Sequence, residues 1–84
     1  MNSLIDKATS AEFSSGQIVV RFASGLEVRF PVSKSARLAK GTASELSHIE
    51  ISPFGLHWPE LDEDLSFAGI LRGQFGPAEG LTSR

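Results

Sequence analysis

The sequence predicts a small two-layer α+β domain. Three observations predict it. Apolar residues alternate at every second position over residues 17–31 and again over 49–58, the period of half-buried strands. Helix-forming residues with stop and cap signals lie between them. And 84 residues, 40% of them hydrophobic, suffice for one thin core, which excludes doubly wound sheets, barrels of eight βα units and two-domain enzymes.

Residues 5–13 form a candidate edge strand ending at Phe13, and Ser14-Ser15-Gly16 is a turn cluster. Ile18, Val20 and Phe22 then alternate, as do Leu26, Val28 and Phe30. A two-residue loop would set Phe22 against Glu27 and mix the faces. A three-residue loop, Ala23-Ser24-Gly25, pairs Phe22 with Leu26, Val20 with Val28 and Ile18 with Phe30, and sets Arg21 opposite Glu27. A slip of one residue would invert every side chain, so parity selects the three-residue loop, with Gly25 left-handed. Pro31 closes the strand.

Residues 34–47 read as one or two short helices. Gly41 is a stop signal, and Thr42-Ala43-Ser44-Glu45 has capping-box spacing. A second hairpin over 49–58, with the loop Ser52-Pro53-Phe54-Gly55, pairs Ile51 with Leu56, Ile49 with Trp58 and Glu50 with His57. Trp58 falls on its apolar face and is expected in the core. After Pro59, Leu61-Asp62-Glu63-Asp64 leads into a last short helix. That helix has Ser66 as its cap, Leu65 and Ile70 at staple spacing, and Gly73 beyond its end. Residues 1–74 are thus expected to form one domain and 75–84 a loose tail.

There is no cysteine, which removes disulfides, thiolate metal sites and thiol nucleophiles. A domain this small without covalent staples predicts a cytoplasmic setting. The Met1–Lys7 segment lacks a basic run followed by an apolar stretch, so no secretory leader is expected. No apolar run approaches the ~20 residues that span a bilayer. Net charge is −2, unevenly placed: residues 1–42 hold six Lys/Arg and three acids, residues 43–84 two Lys/Arg and seven acids.

Glu60, Asp62, Glu63 and Asp64 place four of the ten acids within five residues. Paired carboxylates can hold a metal or share acid–base work only if their oxygens converge, and neighbours along a chain mostly point apart. With His57 beside it, the run reads instead as an acidic edge that recognises a protein partner. Lys34, Arg37 and Lys40 recur every three residues, so one helix would carry them on a single face able to contact phosphate. A catalytic zinc needs about three protein ligands, and His48 and His57 are the only histidines. No phosphate-cradling glycine motif or nucleophile elbow is present. No metal, cofactor or catalytic residue is expected.

Gly55-Leu56-His57-Trp58-Pro59-Glu60-Leu61-Asp62-Glu63-Asp64-Leu65-Ser66, followed by Gly69-Ile70-Leu71-Arg72-Gly73, resembles the C-terminal signature of the bacterial family catalogued as domain of unknown function 2442. Phe22-Ala23-Ser24-Gly25, Phe30-Pro31-Val32 and Ala36-Arg37-Leu38 are also similar to that family, so the resemblance covers roughly residues 15–74. Ala68 departs from it, since relatives often carry Glu there. The resemblance implies a small cytoplasmic α+β protein without assigned catalytic residues or cofactor. It also implies a gene neighbourhood like that of a toxin–antitoxin pair.

Together these readings give a non-enzymatic, partner-binding protein of antitoxin-like character. Its partner would be a protein, such as the product of a neighbouring gene. The alternative is a nucleic-acid-binding accessory module using Lys34, Arg37 and Lys40. A small hydrolase using His57 and the acids stands third.

Overall fold

In the computed structural model, residues 7–75 are described. Strands β1 (Ala8–Ser14), β2 (Gln17–Phe22) and β3 (Glu27–Pro31) form an antiparallel sheet in sequential order. β1 joins β2 through Ser15 and Gly16, whose φ values of 50° and 80° give a turn that follows the strand twist. The β2–β3 hairpin has the register that parity selects: Ile18 opposite Phe30, Val20 opposite Val28, Arg21 opposite Glu27. The Phe22 N–H donates to the Leu26 carbonyl at 2.9 Å, and Gly25 closes the three-residue loop with φ 100°. Leu26, grouped with the apolar face by its spacing, is nonetheless 45% exposed at the hairpin tip.

After a 3-10 turn at Val32–Lys34 come helices α1 (Ala36–Ala39) and α2 (Ala43–Ser47). Ser35 caps α1 by accepting from the Leu38 N–H, and Thr42 and Glu45 form the expected capping box. Gly41 sits where the stop was expected, but for a different reason. Its φ is not left-handed; a Cβ there would lie 2.8 Å from a Leu61 methyl and 3.1 Å from Leu46. Close side-chain packing, not backbone freedom, favours glycine here.

Strands β4 (Glu50–Ile51), β5 (Gly55–Trp58) and β6 (Glu63–Ser66) make a second sequential antiparallel sheet, and α3 (Phe67–Leu71) follows directly. The second hairpin has the expected register, with Glu50 opposite His57 and Ile51 opposite Leu56. β6 corrects the sequence reading: Glu63–Ser66 is not a lead-in to a helix but a strand, pairing Trp58 with Glu63, His57 with Asp64 and Leu56 with Leu65. Ser66 ends the strand and caps α3 by accepting from the Gly69 N–H. At the far end the Gly73 and Gln74 N–H groups donate to the Ile70 and Gly69 carbonyls, a Schellman closure.

The inner faces of both sheets and one side of each helix meet in a single core. Ile18, Val20, Leu38, Leu56 and Trp58 are at most 2% exposed. Each such side chain contributes about 1.5–3 kcal/mol relative to exposure. The Trp58 indole N–H donates to the Leu46 carbonyl at 3.1 Å, so its polar atom is satisfied inside. Val19, on the opposite face of β2, is also buried. Phe75, assigned to the tail by sequence, stacks on Phe30 with centroids 4.6 Å apart. The rest of that segment lies outside the described residues. No helix among those residues is long and apolar enough to cross a membrane.

Candidate functional site

β5 turns Leu56 and Trp58 into the core, so His57 between them lies on the opposite, partly exposed face. Register then sets Glu50, His57 and Asp64 in one row across β4, β5 and β6. His57 Nδ1 lies 2.7 Å from Asp64 Oδ1. A carboxylate only accepts, so Nδ1 is the donor of this pair. The carboxylate paired with His57 is thus Asp64 on β6; Glu50 is its cross-strand neighbour on the other side.

The four acids of the run do not form one edge. The four-residue loop between β5 and β6 ends at Asp62, whose φ of 52° is left-handed, a conformation that Asp tolerates better than most residues. Asp62 projects into solvent, 3.5 Å from Arg37, which also donates to the Asp62 carbonyl. Glu60 pairs with His48 at 3.1 Å. Glu63 corrects the expectation of an exposed acid: it points inward, is 3% exposed, and accepts from the Ser35 hydroxyl at 2.9 Å and the Asp64 N–H at 3.3 Å. It ties the start of α1 to β6. Of the expected set, only His57 and Asp64 pair side chain to side chain among the described residues. Among the described residues, no three His, Asp or Glu side chains are grouped to hold a metal.

The basic stripe does not form on one helix. Lys34 lies in the 3-10 turn, Arg37 in α1 and Lys40 at its C-cap, and extended Ser35 interrupts the helical path between the first two. Ser35 three residues before Leu38 is an N-cap spacing, a signal that could have separated them.

Sequence reasoning treated Phe54 only as part of a turn. Phe54 is 81% exposed, the most exposed of the large hydrophobic residues among those described. Its backbone is fixed: the N–H donates to Ser52 Oγ at 3.2 Å and the carbonyl accepts from the Phe67 N–H at 2.9 Å. Gly55 beside it is required by close approach, because a Cβ would lie 2.2 Å from the Leu65 carbonyl oxygen. Phe54, Gly55, His57, Asp64 and Ser66 border a shallow hollow of about 180 Å³. An aromatic residue between Pro53 and Gly55 is the signal that could have marked it.

This architecture defines a class of small α+β proteins: two three-stranded antiparallel meanders, short helices between them and a terminal helix. Residues 8–76 match the family described as protein of unknown function (DUF2442), and the chain belongs to that family. A protein of unknown function from Rhodospirillum rubrum, known from its crystal structure, is 31% identical. It aligns with a TM-score of 0.78 over 90% of this chain and 94% of its own. An uncharacterised protein from Chromobacterium violaceum, solved by NMR in solution, is also 31% identical. Its TM-score is 0.78 over 92% of this chain and 74% of its own. No curated protein matches the chain.

Proposed function

We propose that this protein is a non-enzymatic binder of a protein partner, a cytoplasmic, antitoxin-like regulator whose contact surface is the outer face of the second sheet. One observation carries the reading. The row Glu50–His57–Asp64 faces outward on strands that contain no Lys or Arg, and the exposed Phe54 borders the same hollow as His57 and Asp64. Charge of one sign beside an anchored aromatic ring is what a partner interface uses for steering and for affinity respectively. Asp62, in the loop beyond β5, is exposed and paired with Arg37.

The test starts from the partner recovered with the tagged protein from its native host and identified by mass spectrometry. The Asp62→Asn/Asp64→Asn double variant should fold normally, bind that partner more weakly and lose part of the salt dependence of association. Unchanged affinity together with unchanged salt dependence would leave the acids as a solvated surface and sink the reading.

A further inference from the structure

We propose that the hollow between Phe54 and the His57–Asp64 pair receives the guanidinium group of an arginine presented by the protein partner. This rests on the partner-binding reading above and adds the chemistry of the contact.

The two walls of the hollow ask for different things. One is an aromatic ring whose backbone is held at both its N–H and its carbonyl, so little main-chain ordering remains to be done on binding. The other is a carboxylate, with Asp64 Oδ1 engaged by His57 at 2.7 Å and the Asp64 side chain 78% exposed, which leaves Oδ2 available to an incoming donor. The next residue in the row is a second carboxylate, Glu50. An anion would meet the like charge of Asp64, with Glu50 in the same row. An apolar side chain would cover Phe54 but leave Asp64 to be desolvated without a partner. Lysine would answer the carboxylate as a point charge and stack poorly. A guanidinium is flat and always charged, stacks on a ring and donates sideways to a carboxylate, so one group satisfies both walls. The shallow volume of about 180 Å³ accepts a single side-chain head and not an element of secondary structure.

The probe is the capped tripeptide acetyl-Gly-Arg-Gly-amide, titrated into the full chain and followed through backbone amide resonances. Saturable shifts are expected at Phe54, Gly55, Asp64 and Ser66. The isosteric but uncharged citrulline peptide should produce none. Phe54→Ala should weaken the arginine peptide about two- to fivefold, the worth of an exposed cation–π contact. Asp64→Asn should weaken it by up to about fivefold, the worth of an exposed ion pair. Both residues are exposed, so both variants should fold. Absence of shifts at these amides, or equal shifts with citrulline, would overturn the proposal. So would shifts that follow protein concentration without peptide, which would assign the hollow to a second copy of the chain. If the recovered partner is weakened by Asp62→Asn/Asp64→Asn but not by Phe54→Ala, the arginine contact fails while partner binding stands. If neither change weakens it, both fail.

Discussion

On its solvent side the first sheet carries Glu12, Arg21, Glu27 and Arg29, whereas the second carries Glu50, His57 and Asp64. In the first, Arg21 lies 3.5 Å from Glu12 and 3.2 Å from Glu27, and Arg29 lies 2.7 Å from Glu27. The hydrogen bond from Arg29, aided by the charges of both arginines, holds the Glu27 carboxyl below the usual glutamate range. The charges answer one another across the strands, and Val19 is buried on the same face. The second sheet answers His57 with Asp64 and, among the described residues, gives Glu50 no ion-pair partner. Two three-stranded meanders therefore end in different surfaces: one electrostatically closed, the other with unmet charge and an unburied ring. The difference arises entirely on the outward positions, because both inner faces supply the same core.

The largest expected effect tests that shared core. Trp58→Ala should destabilise the protein by about 3–5 kcal/mol, removing an indole and orphaning the Leu46 carbonyl. Urea unfolding followed by far-ultraviolet circular dichroism would measure it, and a loss below about 1 kcal/mol would show that the sheets do not share a core. Glu63→Ala comes next, at about 1–3 kcal/mol, because it leaves the buried Ser35 hydroxyl without its acceptor. Glu63→Gln, which keeps an acceptor oxygen, should be milder in the same assay. If Ala is as well tolerated as Gln, Glu63 belongs functionally with the exposed acids.

A smaller effect separates the outer faces by pH. Glu27 has a lowered folded pKa, so its ion pairs contribute stability above the unfolded carboxyl value and lose it as pH falls through the folded one. The stability difference between the parent and Arg29→Gln should therefore be present at neutral pH and close in acid, below the ordinary glutamate range. A difference that widens in acid would contradict the ladder. The smallest effect is that of Asp62→Asn/Asp64→Asn on the isolated chain, within about 0.5 kcal/mol in either direction. A larger loss in chemical denaturation would make these acids structural.

Much of this was legible because apolar parity is unambiguous. Ile18, Val20 and Phe22 against Val28 and Phe30 admit one register, and Leu56 with Trp58 against Ile51 admits another. β6 was hidden because its two inward residues are Glu63 and Leu65. With a charged residue at a core position, the alternation that announces a strand reads as an acidic run. What buries Glu63 is Ser35, 28 residues away, and no local pattern encodes that contact. The basic stripe failed for the opposite reason. Spacing every three residues implies a face only while the helix continues, and Ser35 stops it. The row Glu50–His57–Asp64 was half visible, since the second hairpin placed Glu50 opposite His57 and only β6 could add Asp64.

Phe54 and Gly55 have opposite relations to change. Gly55 is pressed against the Leu65 backbone, so substitution there would force β5 and β6 apart. The Phe54 ring touches little, while its main-chain bonds are indifferent to the side chain it carries. Selection acting on this turn would therefore find one position closed to variation and its neighbour open. A lineage could exchange the ring for another group without paying in foldedness, and on the proposed function would thereby change what is recognised. Descendants of one ancestral chain could thereby diverge in specificity while their backbones stay superimposable.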